Sequence, residues 1–320
     1  MALIKPKALG QGSTIGLVAP AVYLEEEDLQ KGIAVLEKMG FKTKVHPQNY
    51  LRHHCRAGTA KERAAGIHDM FTDPEVDGIL CVRGGSGAMR TEAHLDYGLI
   101  RENPKVFCGF SDITMLLHSI QQKSGLITFH GPMFPHTFWR ENTLGMTHFA
   151  DVMAGNMVSV DIPRSERLKK GTARGKLIGG NLSILSLLTG TPAAPDTHGA
   201  ILFIEDVAEP HYKLDRCLWH LKQAGKLDNV AGVVVSEMVD VYMSVARRTG
   251  IGYGHTILDS IQEIFADKNI PIVANAPVGH GDCTLTMPLG VEATLRVNNK
   301  SASITLNEPA TALADQRQAS

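Results

Sequence analysis

Four short segments of this sequence carry side chains whose types and spacing could do covalent chemistry. The first is Gly109-Phe110-Ser111-Asp112, which joins an apolar run, Val106 to Phe110, to a segment with Ile113, Leu116, Leu117 and Ile120 at helical spacing. A serine on a tight strand-to-helix turn projects its hydroxyl at the carboxyl end of the sheet. The next backbone N–H, that of Asp112, then stands at a helix N-terminus, where it can stabilise an oxyanion. Serine and aspartate are also the preferred helix caps, and most such junctions do nothing more. The second segment is Arg83-Gly84-Gly85-Ser86-Gly87, after the apolar run Gly78 to Val82. Clustered glycines let backbone N–H groups approach a ligand closely, although a plain glycine-rich turn has the same composition. The loop matches neither the dinucleotide nor the Walker pattern. The third is Glu205-Asp206, which closes the run ILFIED. A carboxylate at a strand end can orient an imidazole, and can equally face solvent. The fourth is Gly279-His280-Gly281-Asp282, whose glycines leave an imidazole on an open loop, titrating in the range a general base needs.

Other candidates carry less. His130, in Phe129-His130-Gly131-Pro132-Met133, follows a strand and could line a cleft. His53-His54-Cys55 looks like a metal triplet, but adjacent side chains point apart and no HExxH occurs. The cysteines at 55, 81, 108, 217 and 283 are odd in number and form no CxxC pair, so neither a disulfide framework nor a cysteine zinc site is indicated. Cys81 and Cys108 fall inside apolar runs and read as buried thiols.

The elements that must position these groups alternate along the first half. Thr14 to Ala19 reads as a strand, Leu29, Ile33 and Leu36 mark a helix, and Lys42 to His46 a short strand. Helices are expected over 60–71 and 88–101, a strand over Leu126 to Phe129, and between them the two strands already named. Such alternation predicts a mostly parallel sheet with helices on both faces, and ligands in such sheets sit at the carboxyl ends of the strands. The glycine loop and Ser111 would therefore share a crevice. Residues 156–176, with Arg164, Arg167, Lys169, Lys170, Arg174 and Lys176, read as a solvated linker with some edge strand. In the second half Asn181 can cap a helix carrying Leu182, Leu185 and Leu188. Strands are expected at 200–204, 232–235 and 272–274, and helices around Leu214 to Leu221 and Ile257 to Ile264. Val291 to Val297 and Ala302 to Leu306 alternate about Asn298-Asn299-Lys300 as a hairpin would. The expected division is an α/β nucleophile domain over 1–155, a linker over 156–176, a β-rich mixed domain over 177–310 carrying Glu205 and His280, and a frayed tail over 311–320.

With 320 residues, 43% hydrophobic and 20% charged, the chain is long enough for two ordinary globular domains. A net charge of −1 gives no support for a nucleic-acid or membrane-surface partner. The N-terminus lacks a long apolar stretch, and nothing approaches a membrane span, so a reduced cytoplasm is the simplest expected compartment.

Together, the segments TIGLVAPA, DGILCVRGGSGAMR, NPKVFCGFSDIT, FHGPM, GKLIGGNLSIL, LFIEDVAEPHYKLDR with LKQAGKL, and ANAPVGHGD resemble, in that order and spacing, the serine LD-carboxypeptidases of murein recycling, a family that includes the microcin-immunity peptidases. The resemblance runs from about Thr14 to Leu306. It implies a serine nucleophile at Ser111, a glutamate at Glu205, a histidine at His280, and oxyanion-hole N–H groups at Asp112 and Gly85. It implies a flavodoxin-like N-terminal domain, a smaller C-terminal domain, an active site between them, a homodimer, and neither metal nor organic cofactor. The family's glycine loop often reads RGGYG, and Ser86 departs from it. The segment SEMVD after strand 232–235 also lacks a counterpart.

On that reading His280 takes the Ser111 proton, Glu205 holds the imidazole, and the substrate is murein tetrapeptide, from which terminal D-alanine is released. Arg83 is the candidate for the terminal carboxylate. Three other readings stay open at this point: the same triad acting on a peptidyl-nucleotide or acyl-sulfamoyl adenylate amide, a non-catalytic peptide- or sugar-binding protein, and a nucleotide-binding oxidoreductase or transferase resting on the glycine loops.

Overall fold

A computed structural model describes residues 3–134, 143–162, 166–243 and 252–312. The first half folds as β1 (Thr14–Val18), α1 (Glu26–Lys38), β2 (Lys42–Val45), α2 (Ala60–Thr72), β3 (Gly78–Cys81), α3 (Ala88–Glu92), α4 (Tyr97–Glu102), β4 (Val106–Gly109), α5 (Thr114–Ser124), β5 (Phe129–His130) and α6 (Thr143–Met153). Strands β5, β4, β3, β1 and β2 pair in parallel in that order, which is the flavodoxin-like arrangement. Strands β3 and β4 are buried at every position, as covering both sheet faces with helices requires. Thr59 and Glu62 start α2 with a reciprocal capping box. The single helix expected over 88–101 is two, because the Asp96 carboxylate accepts from the N–H groups of Gly98 (2.9 Å) and Leu99 (3.0 Å) and starts a new one.

The second half contains β6 (Ser159–Asp161), β7 (Glu166–Lys169), β8 (Gly171–Asn181), α7 (Leu182–Leu188), β9 (Ile201–Glu205), α8 (His211–Gln223), β10 (Gly232–Ser236), α9 (Ile257–Ile264), β11 (Ile272–Ala276), β12 (Met287–Pro288), β13 (Glu292–Val297) and β14 (Ala302–Leu306). Its sheet runs β6-β14-β13-β8-β9-β10-β11-β7, with β8 to β11 parallel at the centre and antiparallel strands on both sides. The hairpin forms with Val297 opposite Ala302 and Ala293 opposite Leu306.

Two expectations need correction. Residues 156–176 are not a linker: they supply β6, β7 and the first half of β8, and β8 is a central strand. Charged side chains masked it, because the basic residues 174 and 176 alternate with buried Ala173, Gly175 and Leu177 along the strand. Arg164 lies outside the described residues. The tail expected over 311–320 begins ordered. Thr311 is buried with its hydroxyl on the Met153 carbonyl (3.2 Å), and the Ala312 N–H meets the Pro6 carbonyl (2.8 Å); 313–320 lie outside the described residues.

The domains are laced together. Strand β12 leaves the second half and adds, antiparallel, to β5 of the first sheet. The His118 ring on α5 bonds the Gly179 carbonyl of β8 (2.9 Å), and the Asn181 N–H meets the Thr114 hydroxyl (3.2 Å). These contacts bring the end of β4 against the ends of β8 and β9.

Candidate active site

Strand β4 ends at Gly109, Phe110 continues extended, and Ser111 turns into the left-handed region at φ 61° before α5 begins. Such a conformation costs a non-glycine residue roughly 1–3 kcal/mol. It persists because the buried strand behind it and the helix ahead leave no room to relax. The result is a partly exposed hydroxyl on a strained strand-to-helix turn, as the sequence predicts. Ala208, Met238 and Asn275, also at positive φ, sit at or just beyond the carboxyl ends of β9, β10 and β11, so strained backbone collects at this edge of both sheets.

The glycine loop meets this turn directly. A methyl group on Gly84 would lie 3.0 Å from Ser111 Cβ, 3.2 Å from its Oγ and 3.4 Å from the Asp112 nitrogen, so any side chain there would press on the serine turn. Gly85 follows at φ 101°, a conformation suited to glycine. The Asp112 carboxylate accepts from the Ala88 N–H at 2.9 Å, which ties the loop's exit to the turn. Burial raises that carboxyl above its ordinary value against the pull of the N–H groups of Ala88 and Gly87 and the charges of Arg56 and Arg63. Arg83 is exposed and donates to the Tyr23 carbonyl (3.2 Å). Arg56 donates to the carbonyl (3.2 Å) and hydroxyl (3.3 Å) of Ser86.

Arg63 carries a role that sequence reasoning missed. It lies on α2, fully buried, and donates to the carbonyls of Pro20 (2.9 Å), Gly58 (2.5 Å) and Gly87 (3.3 Å) and to the Thr91 hydroxyl (2.9 Å). Burial, and then the charge of Arg56, lower its pKa, yet a guanidinium stays charged. One cation thus gathers three backbone carbonyls and a threonine hydroxyl at the glycine loop's exit. A charged residue inside a helical pattern reads as surface, so nothing in the sequence pointed to it.

The second domain brings a carboxylate and an imidazole. Strand β9 is buried throughout and ends in Glu205, which has no exposed surface. His280 lies in the loop after β11, 7% exposed, with Nδ1 2.5 Å from Glu205 Oε2. Burial alone would raise the Glu205 carboxyl, but the charge and hydrogen bond of His280 outweigh it and hold the group below the ordinary carboxylate range. A buried, unpaired carboxylate would cost several kcal/mol, so the pair is mutually required. Gly279 makes it possible. At φ 96° it lets the Glu205 side chain pack onto the loop, and a methyl there would fall 2.5 Å from Oε2 and 2.8 Å from Cβ. The neighbouring Asp206 does something else. Its carboxylate accepts from Asn181 Nδ2 (3.2 Å) and from the backbone of Ser183 and Val207 (2.9 Å each), fixing the start of α7.

The halves meet at Phe110. Its ring, one residue before Ser111, packs edge-on against the His280 imidazole with centroids 4.7 Å apart. The Ser111 turn with its glycine loop and the Glu205–His280 pair thus lie at the carboxyl ends of the strands of the two sheets, joined by the Phe110–His280 ring contact; a hydroxyl, and an imidazole held by a carboxylate, are the groups that nucleophilic attack on a carbonyl uses. His130 does not line the cleft but is wholly buried behind it. His53 and His54 are exposed, and among the described residues no group of three or more histidine, cysteine or acidic side chains could hold a metal ion. Cys81 and Cys108 are buried free thiols.

Known proteins share this architecture. The LD-carboxypeptidase N-terminal domain profile matches residues 15–131 and the LD-carboxypeptidase C-terminal domain profile matches 174–295. A probable murein peptide carboxypeptidase of Bacillus subtilis is 36% identical over 304 residues, covering 94% of each chain. A microcin self-immunity protein of Escherichia coli is 29% identical, covering 93% of this chain and 94% of its own. The crystal structure of muramoyltetrapeptide carboxypeptidase from Oxalobacter formigenes superposes with a TM-score of 0.81 at 28% identity, over 92% of this chain and 98% of that one. Both halves of the chain are accounted for in their order, and the protein belongs to the LD-carboxypeptidase family.

Proposed function

We propose that this chain is a serine peptidase that releases terminal D-alanine from murein tetrapeptide, with Ser111 as nucleophile, His280 as general base and Glu205 as the group that orients it. The observation that carries the reading is the 2.5 Å contact between His280 Nδ1 and Glu205 Oε2, with the imidazole packed on Phe110 beside the strained Ser111 turn. Nδ1 engaged by a carboxylate leaves Nε2 as the proton acceptor. Ser111 Oγ attacks the carbonyl of the L-centre preceding D-alanine and loses its proton to His280. The tetrahedral oxyanion faces the N–H groups of Asp112 and Gly85, each such donor worth about 3–4 kcal/mol in comparable sites. His280 then protonates the leaving amine, D-alanine departs, and water activated by the same imidazole hydrolyses the acyl-enzyme to the tripeptide. Glu205 stabilises the imidazolium in both steps. Arg83, exposed at the mouth of the glycine loop, is the proposed partner of the terminal carboxylate.

The likeness to murein carboxypeptidases supports this substrate. The likeness to a microcin self-immunity protein supports a second one for the same triad, an acyl-sulfamoyl or peptidyl nucleotide amide. Incubation with murein tetrapeptide and, separately, with an aminoacyl-sulfamoyl adenosine, followed by mass spectrometry, decides between them. Loss of one alanine from the first and no change in the second is the expected result, and the reverse pattern overturns it. Ser111→Ala is expected to abolish turnover while substrate still binds. Full activity in that variant would remove the serine mechanism and leave a different catalyst or a binding protein. We also propose a cytoplasmic homodimer, which light scattering and fractionation test directly. No helix among the described residues is long and apolar enough to cross a membrane.

A further inference from the structure

Arg56 is a fixed cation on the glycine loop that the mechanism above leaves unused. Its backbone is pinned in a tight turn, where the His53 N–H meets the Arg56 carbonyl (2.9 Å) and the Arg56 N–H meets the His53 carbonyl (3.1 Å). Its half-buried side chain is pinned as well. Nε donates to the Ser86 carbonyl at 3.2 Å and Nη2 to the Ser86 hydroxyl at 3.3 Å. A Cβ on Gly87 would lie 3.1 Å from both Cδ and Nε of Arg56, so the arginine runs directly along the loop. An arginine that only solvates a surface swings freely, whereas this one has already given up its rotamer freedom.

A guanidinium carries five N–H donors in a planar fork. The bonds to Ser86 use the edge shared by Nε and Nη2. The other end of the fork, Nη1 with the second hydrogen of Nη2, meets no acidic side chain among the described residues, and it is an edge that grips a carboxylate by two parallel bonds. The nearby acids are committed elsewhere. Glu62 closes the capping box of α2 on the Thr59 N–H (2.7 Å) and hydroxyl (2.8 Å), and Asp112 accepts from the Ala88 N–H. Arg83 at the start of the loop and Arg90 on α3 are exposed and likewise form no ion pair among the described residues. The charge of Arg56 also reaches the Asp112 carboxyl, one residue after Ser111.

We propose that Arg56 is a specificity-determining residue whose open fork binds a substrate carboxylate on the acyl side of the scissile bond, separate from the terminal carboxylate assigned to Arg83. The proposal rests on the peptidase reading and names the substrate feature that this loop would recognise. Gly85, whose N–H faces the oxyanion in that reading, lies between Arg83 and the Ser86 that Arg56 holds, so the carbonyl under attack has a cation on either side. Residues 83 and 86 are at most about 10 Å apart along the chain, a span that a tetrapeptide covers. With the terminal carboxylate on Arg83, the α-carboxylate that a γ-linked glutamate leaves free is an anion on the far side of that carbonyl.

The test compares two tetrapeptides that differ only at the γ-linked glutamate, one with the free α-carboxylate and one with its amide. The parent is expected to favour the acid by about tenfold in kcat/KM, chiefly through KM, the order of one charge-assisted pair. Arg56→Met should erase that preference, with the acid losing about tenfold and the amide less than about threefold. Arg56→Lys keeps the charge without the fork and should retain only about a third of the preference. Equal losses on both peptides would mean that Arg56 merely braces the loop, and would overturn the proposal, as would a parent that cleaves acid and amide alike. Should Arg56→Met not fold, the Lys variant and a salt titration of the parent decide, and a preference unmoved by both overturns it too. Calorimetric binding of both peptides to Ser111→Ala separates the two ideas. Turnover by the parent without discrimination removes only the role of Arg56. Tighter binding of the acid with no turnover by the parent keeps the anion site and removes the peptidase reading. Neither turnover nor discrimination removes both.

Discussion

The first domain holds Ser111 by backbone geometry, whereas the second holds Glu205 and His280 by one buried charged contact. On the Ser111 side, a left-handed turn, a bare Gly84 and the four-point anchor of Arg63 set positions through carbonyl and N–H groups. On the other side a carboxylate with no exposed surface depends on a single imidazole, and Gly279 clears the space for it. The difference teaches where each half is vulnerable. Backbone-held geometry fails by loosening and is indifferent to pH. A buried ionic contact fails by losing a charge, abruptly and within a pH window.

The largest effect should therefore come from removing charge without changing shape. Glu205→Gln is expected to lower kcat by about 10³–10⁴-fold with KM nearly unchanged, since the amide neither fixes the imidazole tautomer nor stabilises the imidazolium. Steady-state kinetics on the tetrapeptide measure it, and a loss under tenfold would erase the contrast between the halves. Arg63→Met should act on the other half and differently. It strips the Gly58 carbonyl of its Arg63 donor and removes one donor each from the Pro20 and Gly87 carbonyls and from Thr91, and is expected to cost about 3 kcal/mol of folding stability by denaturant titration, with a rise in KM as the glycine loop loosens. Unchanged stability would show that the loop holds itself.

The seam between the halves gives the next effect. His118, His130 and His148 are buried and lowered from 6.5 to about 4, chiefly by burial. Their folded values lie below the unfolded one, so the unfolded chain binds more protons between those limits. Stability is full above about pH 6.5 and falls as pH drops towards 4, by roughly 3 kcal/mol for each ring once protonated. Thermal melts from pH 7.5 to 4.5 should show a steady decline, and a flat profile would mean that these rings are solvated.

How far the sequence foresaw this depends on what kind of signal each part leaves. The parallel core, the Ser111 turn, Glu205 and the His280 loop were legible because apolar runs punctuated by glycine report strands and their ends. Strand β8 was not, since its first half turns Thr172, Arg174 and Lys176 to solvent and so mimics a linker. Arg63 and the seam histidines were not legible either. Their meaning comes from partners distant in sequence, Thr91 28 residues from Arg63, Gly179 61 from His118 and Thr286 138 from His148, which composition and spacing do not encode. Nor could it be read that β12, from the second half, would extend the first sheet.

The smallest effect tests whether the Ser111 side is truly indifferent to charge. The Asp112 carboxylate staples the turn to the Ala88 N–H at 2.9 Å, yet burial raises it and Arg56 and Arg63 pull it down, so it too could be acting as a charge. Asp112→Asn keeps an oxygen acceptor for Ala88 and discards the charge; Asp112→Ala discards both. If backbone position is what matters, the Asn variant should keep kcat/KM within about threefold and its pH profile should overlay the parent. The Ala variant should then fall about tenfold, which corresponds to about 1.4 kcal/mol, the order of one buried hydrogen bond. If instead Asn falls as far as Ala, the carboxylate works through its field on the arginines beneath the glycine loop. The first domain would then depend on a buried charge just as the second does, and the two halves would differ only in how many partners share it.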